Sequence, residues 1–148
     1  MSTIGADKIR EKVTQRLGNE LLRELEGLET GALVKSSNYD FSWHAATTKE
    51  NSAFESTPAL LLPLDNFLEV ICKKFEEFTE KYGSELLVQF EQPFILKIKI
   101  REPETFIRSL YQNQRTKDLT IFKVHPDAIF EAQELEYDIK LFVIARSI

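Results

Sequence analysis

Apolar residues recur along residues 6–29 at the spacing of one helical face. The intervals between successive members are 4, 4, 4, 4 and 3 residues, for Ile9, Val13, Leu17, Leu21, Leu25 and Leu28. At about 100° per residue these side chains share one broad side of a helix, which Leu22 widens. The pattern predicts a long N-terminal helix.

The charges of this helix run against its macrodipole. Cations fill the first half and anions the second, as Lys8, Arg10, Lys12, Arg16, Glu20, Glu24, Glu26 and Glu29. Because cations near a helix start and anions near its end are unfavourable, the helix needs packing for its stability. Two interpretations are open: residues 1–29 pack on the sheet of their own domain, or they dock on or dimerise with another chain.

Two further helices follow from the same periodicity. Large apolar side chains occur three or four positions apart from Leu64 to Tyr82, which predicts a helix. Pro63 precedes this helix, and Gly83 follows it at the position of a C-cap. A short helix over 104–111 begins after Pro103, a residue favoured in the first helical turn.

Alternating apolar and polar residues predict the strands. The clearest are 86–91, 94–101, 119–124 and 137–145, with a turn at 125–127. Strand 137–145 is apolar on both sides, as in a strand covered on both faces. Residues 30–63 are less regular and suggest short strands at 32–35, 39–45 and 59–62, with an exposed loop at 47–57. We therefore expect one α+β domain over 1–148, with a mostly antiparallel sheet of four to six strands and two or three helices.

Composition limits the classes of function. The chain has 148 residues, 43% of them hydrophobic, with a net charge of −5, which argues against general attraction to nucleic acid or anionic lipid and favours a basic partner. The single cysteine, Cys72, forms no internal disulfide and supplies no cysteine-based zinc site. Without a signal peptide or a long apolar run, a cytoplasmic protein is expected and no membrane association.

One string of residues points to metal-dependent chemistry. Pro126-Asp127 and, ten residues on, Asp138-Ile139-Lys140 resemble the PD-(D/E)xK signature of metal-dependent nucleases. That resemblance implies that Asp127 and Asp138 hold a divalent ion and that Lys140 positions water. A chain of this composition contains about two acidic-x-Lys strings by chance, and a solvated strand face explains the pair equally well.

Basic residues between 97 and 123 form a second candidate surface. They are Lys97, Lys99, Arg101, Arg108, Arg115, Lys117 and Lys123, with aromatic residues between them. Such a mixture suits a nucleic-acid-binding sheet. Lysines that protect an edge strand from aggregation are the simpler interpretation.

Aromatic residues in a segment of small residues form the third candidate. Tyr39, Phe41, Trp43 and His44 are of the types that dominate interfaces, and His44 follows Asp40 by four positions. They fit either partner binding or packing on the core. Since no other catalytic pattern is present, we expect a non-catalytic protein-binding module without cofactors: an inhibitor, an immunity or antitoxin-like protein, an adaptor or an assembly subunit. A homo-oligomer through the N-terminal helix is one form of this, and a nuclease using Asp127, Asp138 and Lys140 is the alternative.

Overall fold

Four helices and seven strands follow one another along residues 3–52, 58–114 and 116–147, which the computed structural model describes. The helices are α1 (Thr3–Glu24), α2 (Ser42–Ser52), α3 (Phe67–Tyr82) and α4 (Pro103–Gln112), and a 3₁₀ turn covers Ser36–Asn38. The strands are β1 (Leu28–Lys35), β2 (Leu60–Pro63), β3 (Glu85–Gln89), β4 (Phe94–Ile100), β5 (Leu119–Lys123), β6 (Ala128–Glu134) and β7 (Asp138–Ala145).

All of these strands join one antiparallel sheet in the order β1-β4-β3-β5-β6-β7-β2. The hairpins β3–β4 and β5–β6–β7 form its centre. The two edges come from the first half of the chain: β1 pairs with β4 from Leu28 to Lys35, and β2 pairs with β7 over only four residues. The sheet therefore has one long edge strand and one short one.

The main core lies between one face of the sheet and α3, α4 and the end of α1. Phe75 of α3 is fully buried, with its ring centroid 5.7 Å from that of Phe106 on α4 and 5.4 Å from that of Phe130 on β6. The aromatic row of α3, predicted from its spacing, thus joins both helices to the sheet. Gly83 ends α3, and its backbone N–H donates to the carbonyl of Thr79 at 2.8 Å.

Helix α2 covers the centre of the opposite face. Beneath it lies a second buried cluster formed by Leu87, Ile95, Phe122 and Ile129. In β7, Leu141 and Phe142 point to opposite faces and are both fully buried. Around these two residues β7 is covered on both faces, as its sequence predicted, whereas Val143 further along the strand is 38% exposed.

The α+β class, the antiparallel sheet and the long N-terminal helix are confirmed, but the described residues hold seven strands and four helices, more than expected. The predicted strand over 39–45 is wrong, because Asp40 accepts hydrogen bonds from the backbone and hydroxyl of Ser42 and α2 begins there. These hydrogen bonds hold the pKa of Asp40 below its ordinary value. Strand β6 was not predicted, since its Ala, Glu and Gln residues favour helix and only pairing with β5 and β7 makes it a strand.

We expect Gly27, between α1 and β1, to tolerate no side chain. Its φ is +75°, and an added Cβ would lie 2.6 Å from the carbonyl oxygen of Glu102 and 2.7 Å from the backbone nitrogen of Phe106. Gly27→Ala should lower the free energy of unfolding in urea by about 1–3 kcal/mol. Gly5→Ala is the control, since nothing lies within 4 Å of its added Cβ. Equal urea midpoints for the two variants would contradict the expectation.

Candidate functional site

The predicted aromatic segment packs α2 on the sheet. His44 is completely buried, its ring centroid 4.9 Å from that of Phe122, and its Nε2 lies 2.9 Å from the carbonyl oxygen of Lys123. Tyr39, Phe41 and Trp43 are half-buried against the same cluster. These side chains hold α2 in place, and binding of a partner by their exposed parts stays a prediction.

The three residues of the nuclease alternative are not brought together. Asp127 lies in the turn before β6, with Oδ2 3.2 Å from Arg146 Nη1 and Oδ1 3.9 Å from His44 Nε2. Asp138 lies beyond the other end of β6, paired in register with Pro63 of β2, and Lys140 follows it in β7. The seven residues of β6 span about 20 Å, so the two carboxylates cannot share a metal ion.

The described residues form neither a metal-ligand cluster nor a membrane-spanning helix. In 3–52, 58–114 and 116–147, no three His, Cys, Asp or Glu side chains are grouped as metal ligands. No helix in this part of the chain has both the length and the apolar character that a membrane span requires. Cys72 is buried in α3, and burial raises the pKa of its thiol to about 11, which makes it a poor nucleophile at neutral pH.

A buried polar pair fixes the end of α2 that lies over β6. Asn51 is fully buried, and its Nδ2 donates to Glu131 Oε1 at 2.7 Å. Burial raises the pKa of Glu131, while hydrogen bonds with Asn51, Gln133 and Thr120 act to lower it. The pair is enclosed between helix and sheet, so we assign it a structural role that sequence patterns did not indicate.

The basic stretch divides between two sides of the molecule. Arg108 of α4 pairs with Glu69 at 2.6 Å and Glu104 at 3.1 Å, and Lys117 pairs with Glu134 at 3.6 Å. Arg115 lies outside the described residues. Lys97 and Lys99 of β4, by contrast, lie next to each other along the face of the sheet that carries α2.

These lysines line a concavity of about 450 Å³ beside α2, here called the lysine concavity. Lys123 completes the basic set, and Leu87 and Tyr39 supply apolar surface. The remaining lining residues are Thr30, Gly31, Ala32, Glu85, Leu86, Ile98 and Val124. The volume is in the range of ligand pockets, and the mixture of apolar surface and a few charges is typical of binding sites.

A second candidate surface lies on α1. Leu25 is buried against the sheet, as is Gly18, whose added Cβ would lie 2.7 Å from Leu33. Ile9, Val13 and Leu17, here called the α1 ridge, are 67%, 41% and 43% exposed. Each four-residue step advances about 40° around the helix axis, so the apolar row turns away from the sheet. The predicted apolar face therefore packs on the sheet at its C-terminal end and is exposed at its N-terminal end. Docking or dimerisation through the exposed part stays a prediction.

The raised pKa of Glu131 predicts a pH-dependent stability. The folded state keeps this proton to higher pH than the unfolded chain, so stability falls as pH rises from the ordinary glutamate value, about 4.3. In Glu131→Gln, the side-chain oxygen still accepts the hydrogen bond from Asn51, but the side chain no longer titrates. The loss of folding stability with rising pH should therefore disappear. Its melting temperature by circular dichroism should exceed that of the wild type at pH 8, with little difference at pH 4.

The control for that experiment is Glu136→Gln, an exposed position in the turn between β6 and β7. It should melt like the wild type at both pH values. A difference between Glu131→Gln and wild type that is the same at pH 4 and pH 8 would show that Glu131 is not the titrating group.

No family model, curated protein or solved structure matches this chain. The α1 ridge and the lysine concavity are the two candidate interaction surfaces of this chain.

Proposed function

We propose that this protein is a non-catalytic protein-binding module, an assembly subunit that pairs with a second copy of itself through α1. The observation that carries the proposal is the α1 ridge. Its three large apolar side chains are 41–67% exposed on one helix. Contiguous exposed apolar surface of this kind is typical of interaction sites, whereas scattered apolar residues need no explanation.

The charges of α1 favour a second copy in antiparallel orientation. The first half of α1 holds three cations and two anions and the second half two of each, so the fit of two antiparallel helices depends on individual pairs of unlike charge. With the two-fold axis near Gln15, Val13 faces Leu17 of the partner and Arg10 faces Glu20 of the partner. The N-terminus of each helix then lies beside the C-terminus of the other helix. The partial positive charge of one helix end therefore faces the partial negative charge of the other. A parallel pair would bring like charges together.

A second copy meets the expectation of a basic partner only locally, at the charged residues of α1. The chain as a whole is acidic, with a net charge of −5. Arg10 in the first half of α1 supplies a basic group for Glu20 in the second half of the other copy. Charge complementarity of this kind fixes register and orientation more than affinity.

The size of the ridge sets the strength of the pairing. Six half-exposed side chains, three from each copy, contribute on the order of 1 kcal/mol each on burial. Association opposes them with at least about 4 kcal/mol of lost translational and rotational freedom. These apolar contacts alone leave about 2 kcal/mol, which corresponds to a dissociation constant of tens of millimolar. With the ion pairs of the antiparallel arrangement added, we expect a weak dimer with a dissociation constant in the millimolar range.

Removing the apolar ridge should abolish the dimer. Glutamine at all three positions (Ile9→Gln, Val13→Gln and Leu17→Gln) keeps helix propensity and removes the surface that the pairing buries. Sedimentation equilibrium should show a concentration-dependent dimer for the wild type and a monomer for the variant. The control replaces two other exposed apolar residues, Leu61→Gln and Tyr137→Gln, which are 58% and 79% exposed. A wild type that stays monomeric at millimolar concentration would refute the proposal.

A charge exchange tests the antiparallel register. Arg10→Glu and Glu20→Arg should each weaken the dimer about tenfold, because each change places like charges together in the pair. Within one chain, Glu20 also lies 3.9 Å from Arg16. The double variant restores unlike charges between copies, so its dissociation constant should return toward that of the wild type. A double variant weaker than both single variants would exclude this register.

A further inference from the structure

We propose that β1 and the lysine concavity bind an extended, acidic segment of another protein, which adds to the sheet as an eighth strand. The proposal concerns the opposite end of β1 and the opposite face of the sheet from the α1 ridge, so it stands independently of the dimer.

The first observation is the difference between the two edges of the sheet. β2 is short and ends in Pro63, which has no backbone N–H, and both features discourage pairing with another strand. β1 has eight residues, and within the described part of the chain it pairs with β4 alone. Its residues 29–32 are all exposed. A long open edge next to a concavity is the geometry used in strand addition.

The second observation is the size of the β1 side chains beside the lysines. Thr30 pairs in register with Lys99, and Ala32 pairs with Lys97. An added strand would lie about 4.8 Å beyond β1, and so about 10 Å from β4. Because Thr30 and Ala32 are small, the long lysine side chains can reach across β1 to the added strand. Larger residues at these two positions would block that path.

The spacing of the lysines defines the chemistry of the segment. Residues two apart in a strand point to the same face, so Lys97 and Lys99 both lie on this face of the sheet. Each can therefore contact one of two alternate residues of the added strand. Glutamate or aspartate at positions i and i+2 would meet them. Lys99 already pairs with Glu29 at 3.5 Å, both side chains being partly exposed, so the incoming carboxylate would replace Glu29 there.

The concavity adds a place for a further side chain. Lys123 lies at its wall, with Nζ donating to the carbonyl oxygen of Glu85 at 3.2 Å, and Leu87 and Tyr39 provide apolar contact. An acidic segment can therefore combine backbone hydrogen bonds along β1, ion pairs with Lys97 and Lys99, and an apolar contact in the concavity.

Two other occupants fit less well. A second copy joined edge to edge would bring the same lysines of both chains toward one another, which is unfavourable. A nucleic acid could satisfy the lysines, but it has no alternating backbone donors and acceptors to match the open edge of β1, and the chain is acidic overall. The test includes a nucleic acid as a separate outcome.

The test uses a fluorescein-labelled decapeptide of alternating glutamate and threonine, with fluorescence anisotropy as the readout. We expect saturable binding by the wild type and at least tenfold weaker binding by Lys97→Glu/Lys99→Glu. The matched control Lys73→Glu/Lys81→Glu makes the same charge change on exposed positions of α3 and should bind as the wild type does. Circular dichroism melting confirms that both double variants are folded.

A second peptide separates strand addition from simple anion binding. N-methylation of alternate backbone amides removes backbone donors and keeps every carboxylate, so we expect it to weaken binding at least tenfold. Equal binding of the methylated peptide, equal losses in the two double variants, or no saturable binding by the wild type would each overturn the proposal. So would tighter binding of a fluorescein-labelled decathymidylate than of the peptide.

Discussion

The structure depends on how four helices share the two faces of one antiparallel sheet. Helices α3 and α4 and the end of α1 cover one face around the fully buried Phe75. Among the described helices, α2 alone covers the other face, held by the buried ring of His44 and by the hydrogen bond from Asn51 to Glu131. A helix of eleven residues is about 16 Å long, whereas seven strands are about 29 Å wide. The β1 end of that face therefore stays open.

Both candidate surfaces follow from this unequal covering. The open end of the face holds the lysine concavity, where Lys97 and Lys99 remain accessible beside an unprotected edge. On the other face, α1 contacts the sheet near Gly18 and Leu25 but continues along its own axis. Its apolar row rotates away from the sheet and becomes the α1 ridge. We propose that the first surface binds an acidic segment and that the second pairs with α1 of another copy.

Much of the secondary structure could be predicted because the relevant forces are local. The apolar spacing of α3, the proline at the start of α4 and the alternation in β4 each describe one element without reference to another. Predictions failed where an element depends on its neighbours. Residues 39–45 alternate like a strand, yet the cap at Asp40 and packing on Phe122 make them the start of α2. Residues 128–134 have the composition of a helix, yet β5 and β7 enclose them on both sides.

The same division applies to function. The sequence by itself determined that the first helix has an apolar row and that basic residues are concentrated between 97 and 123. The predicted opposition of charges and dipole in that helix is reduced, because α1 ends at Glu24 with Arg23 in its last turn and Glu29 belongs to β1. Only the tertiary structure decided that Arg108 and Lys117 pair with nearby carboxylates while Lys97, Lys99 and Lys123 gather in one concavity. The tertiary structure also places Asp127 and Asp138 at opposite ends of β6. The reason is physical. Residue spacing determines on which face of a helix or strand a side chain lies. The order of the strands and the placement of the helices determine which residues pack against that face.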